Sequence, residues 1–164
     1  MELKLIKQVH DTGCGIACVA MLKDQSYETV RAELRLIKEK MGEDPEELRT
    51  HAEHLMPLFQ GFEYAPEPVE FEFADSIQGA AILAVAENGK KINSKDYHWV
   101  VAFRINGCLW IADPALGELY RYENWKGKTL NDYRLAVEAK PHSKGQSRTS
   151  LSFPTLQITS VVPG

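Results

Sequence analysis

The sequence is poor in cysteine, has no excess of basic residues and contains no long apolar segment. Its 164 residues include three cysteines, an odd number that makes a disulfide framework a poor interpretation. Its 19 basic and 23 acidic residues give a net charge of -4, whereas a nucleic-acid-binding protein needs a basic face to neutralise phosphates. No window approaches the roughly 20 consecutive apolar residues of a membrane span. We therefore expect neither nucleic-acid binding nor a membrane span.

The start of the chain, MELKLIKQ, lacks the long apolar stretch of a secretory signal peptide. Together with the low cysteine content, this predicts a cytoplasmic protein with reduced thiols. Export by a route without a classical signal peptide would leave the same pattern. The sequence contains no coiled-coil seam that would indicate an oligomeric state.

The first half of the chain has helical patterns. Apolar residues within 14–22 share one helical face, and Ser26 is a candidate N-cap for a charged helix that ends near Met41. Asp44-Pro45 is a helix start signal, and it predicts a third helix that continues to about Phe59.

The second half has strand patterns. Asn106-Gly107 between two apolar runs predicts a tight hairpin. Other candidate strands lie at 69–73, 80–86, 120–125, 133–137 and 156–162. Helices followed by strands predict an α+β fold, with an N-terminal helical half packed on an antiparallel sheet. We expect one domain over residues 1–140, followed by a polar segment, 141–164, that is either a last strand or a mobile tail.

Cys14 lies between two glycines where a loop is predicted to become a helix. A thiol there lies at the positive end of the helix dipole, which favours the reactive thiolate. Gly15 places no side chain beside the sulfur, so a substrate backbone could approach closely. Gln8, six residues upstream, is near enough for its amide to donate to an oxyanion together with the backbone N–H of Cys14.

A thiolate nucleophile also needs a base and a group that orients the base. His98 begins one strand of the predicted hairpin, and Asp113 ends the other. Both therefore lie near the open end of the hairpin, where they can share a hydrogen bond. The sequence thus predicts a Cys–His–Asp triad.

Each of these residues also has a structural interpretation. A cysteine on an apolar helix is commonly a core residue, as we expect for Cys18, and Cys108 lies on a predicted buried strand. Asp-Pro after a strand is a frequent turn. Their joint arrangement favours catalysis.

Other candidate sites are weaker. A zinc site formed by Cys14, Cys18, His98 and Cys108 has the wrong spacing, so we expect no metal and no cofactor. His51 and His54 are interpreted as part of a solvated helix face, and His10 as an exposed loop residue. Trp99 is expected in the core or in the wall of the cleft.

The motif of Gln8 and Cys14, followed by Gly-Ile-Ala-Cys-Val-Ala-Met, resembles the nucleophile motif of bacteriocin-processing double-glycine peptidases. His98-Trp-Val-Val and Asp113-Pro-Ala-Leu-Gly resemble the histidine and aspartate motifs of that family, in the same order. The resemblance covers roughly residues 5–120. It implies a papain-like fold with Cys14 as nucleophile, His98 as base, Asp113 as orienting residue and Gln8 as oxyanion donor. Gly13, Gly15 and Trp99 are then expected to contact the substrate.

The sequence departs from this family in two respects. An acidic residue usually precedes the family's cysteine, but Gly13 stands here. The family domain is often joined to an ABC transporter, and no phosphate-binding Gly-x-x-x-x-Gly-Lys-Ser/Thr motif occurs in this sequence. We therefore expect a stand-alone domain, and coupling to export is not supported.

The resulting hypothesis is a cysteine peptidase that hydrolyses a peptide bond through an acyl-enzyme. A papain-like deamidase or transglutaminase-type acyltransferase acting on a protein side chain would use the same triad. A non-catalytic peptide-binding module is the third hypothesis, although a pure binder needs no activated thiol. The partner in each case is a peptide or protein.

Overall fold

The computed structural model describes residues 2–60, 64–70, 80–87, 98–125, 130–141 and 157–160. Its helices are α1 (Cys14–Lys23), α2 (Tyr27–Lys40), α3 (Ala52–Phe59) and the single turn α4 (Tyr122–Trp125). Its strands are β1 (Glu2–Lys4), β2 (Tyr64–Glu70), β3 (Ala80–Glu87), β4 (His98–Ile105), β5 (Cys108–Asp113), β6 (Glu118–Arg121), β7 (Leu130–Pro141) and β8 (Gln157–Ser160). The main helices precede the sheet strands along the chain, as the sequence predicts.

Six strands form an antiparallel sheet in the order β2-β7-β3-β4-β5-β6. β1 and β8 form a separate parallel pair. The predicted hairpin is present, because Ile105 pairs with Cys108 across Asn106 and Gly107, which both have positive φ. The α+β class with an antiparallel sheet is thus confirmed.

α1 is buried over its whole length and packs between the other helices and the sheet. One face of the sheet, with Trp99, Val101 and Phe103, forms a core with α1, α2 and α3. The opposite face, with Val100 and Ala102, belongs to a second apolar cluster. This arrangement presents the first residue of α1 to the start of β4.

α2 begins where the sequence predicts. The Ser26 hydroxyl accepts a hydrogen bond from the backbone N–H of Thr29, which satisfies one of the free donors of the first turn. Val30 and Leu34 are buried one turn apart, and the helix ends at Lys40, just before Gly42 with its positive φ.

The predicted start of α3 at Pro45 is wrong by about two turns, because the helix begins at Ala52. The Asp44 carboxylate accepts a hydrogen bond from the N–H of Glu46 and closes only a local turn. The carbonyl of Glu47 then accepts a hydrogen bond from the buried Lys38 ammonium group, and the carbonyl of Thr50 accepts one from the Trp99 indole. Because these carbonyls are already bonded to side chains, the helix begins only at Ala52.

Several strand predictions differ in extent. The 120–125 candidate is a strand only to Arg121 and continues as α4, whereas the 133–137 candidate belongs to the 12-residue β7. The predicted strand at 69–73 overlaps β2 at Val69 and Glu70, and its remaining residues lie outside the described part of the chain. Among the described residues, no helix is both long enough and apolar enough to cross a membrane.

Candidate active site

Cys14 is the first residue of α1, and its side chain is nearly buried, with 9% of the residue exposed. Gly13 precedes the helix, and its carbonyl accepts the first helical hydrogen bond, from Ala17 at 3.1 Å. The sulfur therefore lies at the N-terminal end of a buried helix, where the backbone dipoles favour a negative charge.

The hairpin brings His98 and Asp113 together. His98 Nε2 and Asp113 Oδ1 are 2.8 Å apart, and Oδ1 also accepts a hydrogen bond from the N–H of Ala115 at 3.0 Å. Asp113 is 2% exposed, so its carboxylate is held in one position inside the protein. This contact leaves Nδ1 as the second ring nitrogen of His98.

The start of β4 also meets the sulfur. The backbone N–H of Trp99 points to Cys14 Sγ at 3.5 Å, and the His98 side chain lies near enough to the same thiol to lower its pKa. Since His98 Nε2 is bonded to Asp113, Nδ1 is the nitrogen available to the sulfur. The structure therefore brings Cys14 close to His98, which is hydrogen-bonded to Asp113.

The electrostatics of this chain favour a charged pair. Burial raises the pKa of the Cys14 thiol, but the hydrogen bond and positive charge of His98 outweigh that effect and hold the pKa below its ordinary value. Burial lowers the pKa of His98, but its hydrogen bonds to Asp113 and Cys14 raise it to about 9. A lowered thiol pKa beside a raised imidazole pKa favours thiolate and imidazolium at neutral pH.

Cys14 and His98 line a cavity of about 100 Å³. Its wall combines the loop before α1, the segment before α3 and the start of β4, and it comprises Asp11, Thr12, Cys14, Arg49, Thr50, His51, His98 and Trp99. Sequence analysis did not identify Arg49 and Thr50, because only the packing of the segment before α3 brings them to Cys14.

Trp99 fixes this segment against α1. Its indole Nε1 donates to the Thr50 carbonyl at 2.6 Å, and only 1% of Trp99 is exposed. A methyl group built on Gly15 would lie 2.4 Å from Thr50 Cβ and 3.1 Å from Trp99 Cδ1. The space beside Gly15 is thus filled by the protein itself, and it is not the open approach for substrate that the sequence suggested.

The Gln8 side chain lies in the loop before Cys14. Its amide Nε2 donates to the carbonyls of His10 and Asp11, both at 2.9 Å. Its Oε1 is buried and forms no hydrogen bond with the described residues. Both amide hydrogens are therefore engaged within the loop, and donation to an oxyanion would require the release of one of them.

The predicted solvent exposure of His54 is wrong. His54 is completely buried, its Nδ1 accepts the N–H of His51, and its Nε2 donates to the Glu43 carboxylate at 2.9 Å. Glu43, Glu53 and His54 place their ligand atoms within 4.8 Å of one another. Because both ring nitrogens of His54 are already bonded, we interpret this group as a structural link between α3 and the segment before it.

Comparison with known proteins gives two findings. A family model described as the Peptidase C39 family matches residues 2–141. The chain is also 29% identical, over 163 residues, to the Lactococcin-G-processing and transport ATP-binding protein LagD of Lactococcus lactis subsp. lactis. This similarity covers 93% of the chain and 22% of that relative, so the chain spans about a fifth of the relative's length.

Proposed function

Because the chain belongs to the peptidase C39 family, we propose that it is a cysteine peptidase with a papain-like fold and a triad of Cys14, His98 and Asp113. The observation that carries this proposal is that Cys14, at the start of a buried helix, shares one cavity wall with His98, which is hydrogen-bonded to the buried Asp113 carboxylate. We propose residues 1–140 as the peptidase domain and a peptide or protein as the substrate.

The first step is acylation. The Cys14 thiolate attacks the carbonyl carbon of a peptide bond, and a C–S bond forms as the carbonyl oxygen becomes an oxyanion. The C–N bond then breaks, and the His98 imidazolium gives its Nδ1 proton to the leaving amine. Asp113 accepts the hydrogen bond of Nε2–H and orients the ring, so Nδ1 is the nitrogen that gives and takes the proton.

The second step is hydrolysis of the thioester. Neutral His98 takes a proton from water while the water oxygen attacks the acyl carbon. Collapse of the second tetrahedral intermediate expels the Cys14 thiolate and releases the carboxylic acid, which restores the thiolate and imidazolium.

The backbone N–H of Cys14 and the Gln8 amide are the proposed oxyanion donors. The Gln8 amide can act only if one hydrogen leaves the carbonyl of His10 or Asp11. We further propose that Gly13, Gly15 and Trp99 contact the substrate. Trp99 lies in the cavity wall, whereas the side-chain space beside each glycine is occupied, so the glycines can contribute only backbone atoms.

The test is incubation of a peptide library with the wild type and with Cys14→Ala, read by mass spectrometry. We expect cleavage by the wild type and a loss of at least about 10³-fold in the variant. The matched control is Cys108→Ala, which removes a half-exposed thiol next to Arg121, outside the cavity wall, and should cleave normally.

The same assay separates the remaining hypotheses. Ammonia release without chain cleavage would indicate a deamidase, and the absence of any Cys14-dependent reaction would support a peptide-binding module. Gln8→Ala should lower turnover by about 10²–10³-fold if the amide binds the oxyanion. Full activity of Gln8→Ala would show that the amide only holds the loop.

A further inference from the structure

The space where a side chain at residue 13 would lie, just before Cys14, is occupied by a residue of another helix. A methyl group built on Gly13 would lie only 1.9 Å from Tyr27 Oη and 3.0 Å from Tyr27 Cζ. No side chain fits at residue 13 unless Tyr27 moves. The Tyr27 hydroxyl therefore stands where the first atom of a side chain at residue 13 would be.

Tyr27 is well fixed. It is the first residue of α2, directly after the Ser26 cap, and only 6% of it is exposed. Its ring stacks on the His10 imidazole at a centroid distance of 5.8 Å and an interplanar angle of 26°, and its hydroxyl lies 3.0 Å from His10 Nδ1.

The residues that meet Tyr27 form the turn that leads into α1. The N–H of Gly13 donates to the carbonyl of His10 at 2.9 Å, and the Gln8 amide donates to the same carbonyl. Burial raises the pKa of the Tyr27 hydroxyl, and the nearby backbone of His10 and Val9 partly offsets this rise. The Tyr27 hydroxyl and the Gln8 amide thus both contact the turn, which ends at Cys14.

We propose that Tyr27 is a positioning residue for the nucleophile, whose hydroxyl holds the turn of residues 10–13 so that Cys14 begins α1 with its sulfur toward His98. The proposal rests on the proposed function only in taking Cys14 as the nucleophile. Tyr27 touches no reacting atom in this scheme. It acts through the backbone of the turn, so its loss should change how Cys14 is aligned and leave substrate binding largely unchanged.

The first experiment compares Tyr27→Phe with the wild type. Phenylalanine keeps the ring stacked on His10 but removes the hydroxyl, so the turn loses its hydrogen-bond partner. We expect kcat to fall by about tenfold or more with little change in KM, because small misplacements of reacting groups slow the chemical step strongly. The matched control is Tyr120→Phe, which removes a hydroxyl bonded to Glu118 outside the cavity wall and should leave kcat unchanged.

A second readout does not require peptide cleavage. The rate at which iodoacetamide alkylates Cys14 is measured against pH, with the labelled residue identified by peptide mapping. If Tyr27 positions the thiol, Tyr27→Phe moves the inflection of this profile upward, toward that of an ordinary thiol. If Tyr27 only stabilises the fold, the melting temperature falls and the inflection stays in place, which would overturn the proposal.

The third experiment tests the shared space directly. Gly13→Ala should lower the alkylation rate of Cys14 at neutral pH about tenfold, because the new methyl group overlaps Tyr27 Oη. Leucine has no hydroxyl at this place, so in a Tyr27→Leu background the overlap disappears. There, Gly13→Ala should lower the alkylation rate of Cys14 by less than twofold. Equal costs in both backgrounds would contradict the proposal. If the wild type cleaves no peptide but these alkylation results hold, the proposed function fails and the positioning role of Tyr27 stands.

Discussion

At the scale of single residues, two opposing effects set the protonation states of the Cys14 thiol and the His98 imidazole. Burial alone would keep Cys14 and His98 neutral, since it penalises both charged forms. The mutual attraction of the two groups and the hydrogen bond of His98 with Asp113 outweigh that penalty. The charge states of Cys14 and His98 therefore depend on how these two side chains and Asp113 are aligned.

This balance predicts a bell-shaped dependence of kcat/KM on pH. On the acid side, kcat/KM should rise as the Cys14–His98 pair loses a proton, at a pH below the ordinary thiol pKa. On the alkaline side, it should fall near pH 9, because His98 loses its proton and can no longer protonate the leaving amine. Asp113→Asn removes the carboxylate that raises the pKa of His98, so the alkaline limb should move to lower pH. An unchanged alkaline limb in Asp113→Asn would contradict the assignment of Asp113.

The residues of the candidate site differ in how far the sequence could place them. The two-residue turn at Asn106 sets the register of the hairpin, so the proximity of His98 and Asp113 follows from local pattern. The directions of the Gln8 amide hydrogens and the burial of His54 depend on contacts with other segments, which local patterns do not contain. The catalytic roles themselves stay predictions until activity is measured.

At the scale of secondary-structure elements, one buried lysine joins the three main helices. Lys23 at the end of α1 donates to the Leu58 carbonyl in α3 at 2.6 Å and pairs with Glu33 of α2 at 2.7 Å. Its side chain is 4% exposed, so both partners satisfy a charge that would otherwise be costly to bury. The helical half is therefore held together by a polar contact as well as by its apolar core.

We expect Lys23→Met to destabilise the protein by about 1–3 kcal/mol, because the Leu58 carbonyl and the Glu33 carboxylate lose their donor. The control is Lys40→Met on the exposed end of α2, which should stay within about 0.5 kcal/mol of the wild type. Urea unfolding measures both changes. Equal stabilities of the two variants would show that the Lys23 contacts contribute nothing.

The elements were predictable where one local signal decides their bounds. The Ser26 cap and the apolar spacing of Val30 and Leu34 were sufficient for α2. The start of α3 was not predictable, because Lys38 and Trp99 bond to the carbonyls that a helix from Asp44 would have used. Both donors lie outside the segment before α3, so the local sequence pattern of that segment does not indicate them.

At the scale of the whole molecule, the two ends of the described chain meet. Glu2 pairs with Gln157 and Leu3 with Ile158 in the parallel pair of β1 and β8, apart from the six-stranded sheet. Neither β1 nor this long-range pairing was predicted from the sequence, since short parallel strands distant in sequence have no shared local signal. Residue 157 lies beyond the family match, which ends at 141.

A chain ended after Pro141 should still fold and keep the proposed peptidase activity, because it retains all six strands of the described sheet and every proposed catalytic residue. Its melting temperature should fall, because β1 loses the strand that it pairs with and the buried Leu3 becomes more exposed to solvent. Thermal unfolding followed by circular dichroism, with the peptide assay, measures both effects. Failure of the shortened chain to fold would make residues 142–164 part of the domain.

The sulfur and the groups that activate it are far apart along the chain, with the Trp99 N–H 85 residues from Cys14. During synthesis on the ribosome, Cys14 emerges long before His98 and Asp113 exist. Until the later strands are made and dock, the nascent chain carries an unremarkable thiol. The contacts that lower the pKa of Cys14 therefore form only after β4 has been synthesised and packed against α1.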